Sequence, residues 1–125
     1  GDYEKKKDLI TRALVIQEKH YGKDHPSTGA TLTNLGNAWI SLGDYEKAKD
    51  LLTRALAIKE KHYGKQHPET AITLECLGNA WGSLGDYEKK IDLLIRVIEI
   101  FEKHYGKDHP NTKRVITNLN NSLGS

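Results

Sequence analysis

Apolar side chains return every three or four residues along almost the whole chain, and glycine or proline breaks the pattern at regular intervals. That period belongs to amphipathic helices. Tyr45, Ala48, Leu52 and Ala55 fall on one helical face, which Leu51 and Ile58 widen. Lys47, Lys49, Asp50, Arg54, Lys59 and Lys61 fall on the other and read as solvated. Asp44 follows Gly43 and suits an N-cap. The spacing predicts a helix over 44–63, about 30 Å long at 1.5 Å per residue. Gly64 stops it, because glycine takes positive φ without a Cβ penalty. His67 and Pro68 restart the chain, and proline suits a first helical turn. Leu74, Leu77, Trp81 and Leu84 make the apolar stripe of a next helix over 68–84. Gly85 closes it in a turn so short that the following helix must fold back nearly antiparallel.

This unit recurs. GDYEKKKDLI at Gly1 returns as GDYEKAKDLL at Gly43 and GDYEKKIDLL at Gly85, a period of 42, and the first two units share 31 of 42 residues. Such identity at a fixed period marks a repeat architecture. The units span 1–42, 43–84 and 85–125, with no linker between them, so 1–125 is one repeat domain. Its first helix is expected over 2–21 and its last over 110–123. Writing A for the helix that opens on proline and B for the one that follows the Gly-Asp-Tyr turn, the order is B-A-B-A-B-A. The fold class is all-α, an α-solenoid of stacked antiparallel helix pairs.

Leu35, Gly36 and Trp39, then Gly43, Asp44 and Tyr45, then the small Ala48 and Ala55, give a pattern that resembles the tetratricopeptide repeat (TPR). The period exceeds that family's, roughly 34, through the run IKEKHYGKQHPET. In this the chain is similar to the kinesin-light-chain type of the repeat. The resemblance implies a right-handed superhelix whose A helices line a concave groove for a peptide or protein partner. Carried over position by position, the groove comprises Thr33, Asn34, Asn37 and Ser41, then Glu75, Cys76, Asn79 and Ser83, then Thr117, Asn118 and Asn121. Asn37, Asn79 and Asn121 recur once per unit. An amide side chain both donates and accepts, so such a ladder can grip an extended peptide backbone or tie neighbouring helices together. Chaperone-binding members hold a ligand carboxylate with A-helix lysines and arginines. The matching positions here are Thr33, Glu75 and Thr117, which speaks against that clamp.

The units also differ where helices should meet closely. Lys6 and Lys90 stand where unit two has Ala48, Val97 replaces Ala55, and Asn120 replaces Gly36. A looser last pairing is expected, with the Lys90 stem passing beside the contact.

Composition narrows the function. With 37% apolar and 29% charged residues the chain is a structured, soluble type. A net charge of +2 does not point to nucleic acid or an anionic membrane. There is no apolar run long enough to span a bilayer and no secretory pattern. Cys76 is the only cysteine, so no internal disulfide forms, and a cytoplasmic location is expected. The absence of methionine and the start on Gly1, in register with the repeat, suggest a piece of a longer or engineered array. Histidines recur in pairs (His20 and His25, His62 and His67, His104 and His109), but each pair spans a helix end and lacks a third ligand. No metal, cofactor or catalytic constellation is expected. Two readings remain: a scaffold that binds a partner in its groove, and a module that stacks end to end as a homo-oligomer through its first and last helices.

Overall fold

Each helix starts and stops on residues whose chemistry dictates it. The computed structural model describes residues 2–124, and the side chains of all but Tyr3; Gly1 and Ser125, the outer limits of the first and last units, lie outside the described residues. The helices are α1 (Asp2–Tyr21), α2 (Pro26–Leu42), α3 (Tyr45–Tyr63), α4 (Pro68–Ser83), α5 (Tyr87–Tyr105) and α6 (Pro110–Leu123), and there is no strand among the described residues. This is the expected B-A-B-A-B-A order. Asp44 and Asp86 are N-caps, accepting from the N–H groups of Lys47 and Lys89, so α3 begins one residue after the Asp44 start expected from sequence. The fourth helix ends at Ser83, with Leu84 as its cap.

Glycine is needed at both kinds of turn, in two conformations. Gly43 adopts φ 87°, ψ 5°, the left-handed helical geometry of a tight reversal. Gly64 takes φ 90° but ψ 165°, a positive-φ extended region open essentially to glycine alone. It therefore sends the chain onward rather than back.

The longer connection is an ordered motif, repeated three times. The imidazole Nδ1 atoms of His25, His67 and His109 accept the N–H of Ser27, Glu69 and Asn111, so histidine is the N-cap of every A helix. Thr28, Thr70 and Thr112, all fully buried, donate to the carbonyls of Gly22, Gly64 and Gly106 at 3.0, 2.7 and 2.8 Å. Tyr21, Tyr63 and Tyr105 pack their rings on these histidines. The first histidine of a pair reaches further. His62 Nε2 lies 2.6 Å from the Asp24 carbonyl and His104 Nε2 lies 2.9 Å from that of Gln66, each joining one repeat to the preceding loop.

Consecutive helices pack in order, and α2 also touches α4. The core is a series of clusters, each shared by neighbours. Leu14, Leu32, Leu35, Ala55 and Ile58 join α1, α2 and α3. Ala48, Leu52, Leu77 and Ala80 join α3 and α4. Ala71, Leu74, Leu94, Val97, Ile100, Phe101 and Val115 join α4, α5 and α6. No unit buries its own apolar face; stacking does so. Trp39 packs against two of these clusters, and the ammonium groups of Lys7 and Lys47 lie 4.7 and 4.8 Å from its ring. Trp81 is held in the same way by Lys49 and Lys89.

The A-B contact explains the small residues. A Cβ on Gly36 would come 2.6 Å from Leu52 Cγ, so the bulk that needs this glycine is Leu52, four residues beyond Ala48. A looser last pairing is expected from Lys90, Val97 and Asn120, and at Lys90 a second change meets the first. Gly82 occupies the position of Ile40, and a Cβ there would lie 2.5 Å from Lys90 Cδ. Ile40 beside the cluster of Ala48 has become Gly82 under Lys90. Bulk has moved from one helix to the other, so the contact stays filled.

Candidate functional site

The A helices form one row, and the residues selected from sequence divide within it into those joining helices and those facing outward. Thr33 is buried between α2 and α4, donating to the Gly29 carbonyl and lying 3.1 Å from Thr73 Oγ1. Glu75 is buried and accepts from Arg114 of α6 at 2.5 Å. Asn79 Oδ1 accepts from Asn118 Nδ2 at 3.1 Å, linking α4 to α6. One unit earlier, Asn37 hydrogen-bonds the thiol of Cys76, which stands where α6 has Asn118. The asparagine ladder thus makes a cross-helix tie at two successive steps.

Burial pushes the Cys76 thiol above the usual cysteine range and the Glu75 charge adds to it. Together they outweigh the Asn37 hydrogen bond and the Arg114 and Lys59 charges. A half-buried thiol whose ionisation is disfavoured suits packing better than nucleophilic attack.

Asn34, Asn37, Ser41, Ser83, Thr117 and Asn121 are exposed. Ser41 and Thr117 donate back to their own helix, to the carbonyls of Asn37 and Lys113. Among the eleven groove positions, three come together in one place. Asn79, Ser83 and Asn121 line an open cleft of about 470 Å³ with Gly82, Tyr87, Lys90 and Ser122. The cleft lies where α4 ends, α5 begins and α6 ends. Its lining is amide, hydroxyl and one ammonium. Lys90 is half-buried, its stem crosses Gly82, and it has no ion pair among the described residues.

Sequence reasoning missed Gly82, Tyr87, Lys90 and Ser122. A signal existed: Gly82 and Lys90 depart together from Ile40 and Ala48, the mark of a compensated contact. Among the described residues no group of three or more histidine, cysteine, aspartate or glutamate side chains is placed to hold a metal ion. No helix of the described residues is long and apolar enough to cross a membrane.

A stack of antiparallel helix pairs, each closed by small residues and a Gly-Asp-Tyr turn, defines a class of helical repeat scaffold. Family models of the tetratricopeptide repeat match residues 1–61, 40–89 and 70–111, and the chain belongs to that family. Tetratricopeptide repeats generally mediate protein–protein interaction and are typically not catalysts. Among solved structures, a kinesin-light-chain-type protein of Podosopora anserina with nearly identical TPR-like repeats superposes with a TM-score of 0.91 at 25% identity. The match covers 98% of this chain and 58% of that one. BtubC (BKLC) of P. vanneervenii has the same fold, with a TM-score of 0.89 at 21% identity over 99% of this chain and 50% of its own. This chain therefore spans only about half the length of either. No curated protein matches the sequence.

Proposed function

We propose that the row formed by α2, α4 and α6 receives an extended segment of a partner protein, and that one partner side chain enters the cleft between Ser83 and Asn121. The observation that carries this reading is the convergence of Asn79, Ser83 and Asn121, chosen from sequence, with Lys90 in one cleft. Amide and hydroxyl groups in such a place can bond a peptide backbone while the cleft takes a side chain. Its volume is in the range of ligand sites, roughly 300–1,000 Å³. The exposed Asn34, Asn37, Ser41 and Thr117 extend the same face toward α2 and along α6, and Thr33, Glu75 and Asn118 hold its helices in register.

A displayed peptide library selected on the chain tests this. The affinities of recovered peptides would then be compared with those for a Ser83→Ala, Asn121→Ala variant. Loss of two hydrogen bonds, about 1 kcal/mol each, weakens binding roughly tenfold or more. Equal affinity for parent and variant would remove the cleft from the binding site.

A further inference from the structure

Three helices meet at a corner twice in this molecule, and the two corners differ in chemistry. At the first, Ile40 of α2 packs against Ala48 of α3 and Ala80 of α4. At the second, the matching residues are Gly82 of α4, Lys90 of α5 and Ser122 of α6, and the open cleft lies there. An exchange of volume accounts for Gly82 and for the Lys90 stem. It does not account for the ammonium, since an aliphatic side chain would cover Gly82 as well. Nor does it account for the hydroxyl of Ser122 where Ala80 is fully buried. The opening is not set by the helices that follow. At the first corner α5 and α6 are both in place, and Asn37 and Ser41, the counterparts of Asn79 and Ser83, are still exposed.

The charge of Lys90 is unanswered. Four lysines are partly or wholly buried: Lys7, Lys49, Lys59 and Lys90. The first three have a carboxylate oxygen at 3.2, 2.9 and 3.1 Å, from Glu4, Glu46 and Glu69. Lys90 has none among the described residues, and no carboxylate lines its cleft. Glu75, one turn before Asn79, is paired with Arg114, and Asp86, one turn before Lys90, caps α5. The neutral groups also offer protons. Asn79 Oδ1 already accepts from Asn118, which leaves the amide N–H groups of Asn79 to donate. Ser83 adds an exposed hydroxyl. One ammonium with amide and hydroxyl donors suits a group that carries a single negative charge and accepts several hydrogen bonds, as a carboxylate does.

We propose that the cleft selects its partner by an aspartate or glutamate side chain, whose carboxylate pairs with Lys90 and accepts from Asn79 and Ser83. This rests on the reading of the A-helix row as a peptide-binding surface, and it makes Lys90, on a B helix, a specificity determinant of that surface. The same displayed library, selected in parallel on the parent, Lys90→Met and Lys90→Glu, tests it. Methionine keeps an unbranched stem over Gly82 without the charge, and circular dichroism establishes that each variant is folded. Peptides recovered on the parent should share an acidic residue at one position, and changing that residue to its amide should weaken binding roughly tenfold. On Lys90→Met the acidic preference should vanish while peptides are still recovered, and on Lys90→Glu a lysine or arginine should replace it. Peptides with amidated C-termini should bind as well as those with free ones, which assigns the carboxylate to a side chain. An acidic preference that survives Lys90→Met, or none on the parent, overturns the inference and leaves the groove reading standing. So does loss of binding when the C-terminus is amidated. A parent that recovers no peptide removes the groove reading, and the carboxylate site with it.

Discussion

At the scale of single residues, the molecule trades bulk across a contact rather than fixing it on one side. Ile40 faces the cluster of Ala48, whereas Gly82 lies beneath Lys90. Restoring isoleucine at Gly82 alone overfills the site, at a cost of about 1–3 kcal/mol. Lys90→Ala alone strips the aliphatic stem that covers the glycine. Together the two changes recreate the Ile40 and Ala48 arrangement. The Gly82→Ile, Lys90→Ala variant should be more stable than the sum of the single losses, with a coupling of about 1 kcal/mol or more. Urea unfolding of the four proteins measures it, and simple additivity would mean that the contacts are independent. The same exchange shows what a single sequence hides. Lys90 read alone breaks the small-residue rule, and only Gly82, eight residues earlier, turns the breach into a compensation. A related shift accompanies the last tryptophan position: where Lys7 and Lys49 flank Trp39 and Trp81, the third unit carries Ile91 and Leu123 at the same two positions.

At the scale of helices and loops, the sequence located nearly every boundary. Periodicity, Asp44, Gly64 and Pro68 each act locally, so no partner is needed to read them. The connection was less legible. The run from Tyr63 to Thr70 lengthens the repeat and reads as a spacer. It is instead a closed set of bonds, with His67 on the Glu69 N–H, Thr70 on the Gly64 carbonyl and Tyr63 against His67. His67→Ala removes the only side-chain acceptor at the start of α4 and should cost about 1 kcal/mol. A shift in the urea midpoint with unchanged slope would report it. His67→Asn, which returns an N-cap acceptor, should recover part of the loss. An unchanged midpoint for the alanine variant would show that water caps α4 equally well. The reach of His62 and His104 into the preceding loop depends on the stacking of repeats and has no signature within one unit.

At the scale of the whole molecule, stability is shared between neighbours, and the ends have fewer of them. Leu14 is the only buried residue of α1 whose side chain is described, and α6 buries only Thr112 and Val115, whereas α4 buries nine residues. Native-state hydrogen exchange should therefore protect amides of α4 most and those of α1 and α6 least, with α3 and α5 between. Uniform protection along the chain would mean that the array opens only as one unit. The solenoid itself was legible because the repeat is written three times. The candidate site was legible only in part. Groove positions follow from the family pattern, but whether an asparagine faces a ligand or a neighbouring helix depends on the next repeat. Asn79 bonds Asn118, and one step earlier its place is taken by Asn37 on Cys76.

The histidine ties also bear on how the stack can bend. His62 and His104 fasten each repeat to the loop before it by a directed bond to a carbonyl. At the opposite ends of the helices, tryptophan and lysine meet through contacts that tolerate change in distance and angle more readily. The array resembles a book bound along one edge. Its leaves can fan at the Trp39 and Trp81 side while the spine of histidines stays closed. The cleft at Ser83 and Asn121 opens on that fanning edge, where the Asn79–Asn118 hydrogen bond is the directed tie that holds α6 to α4.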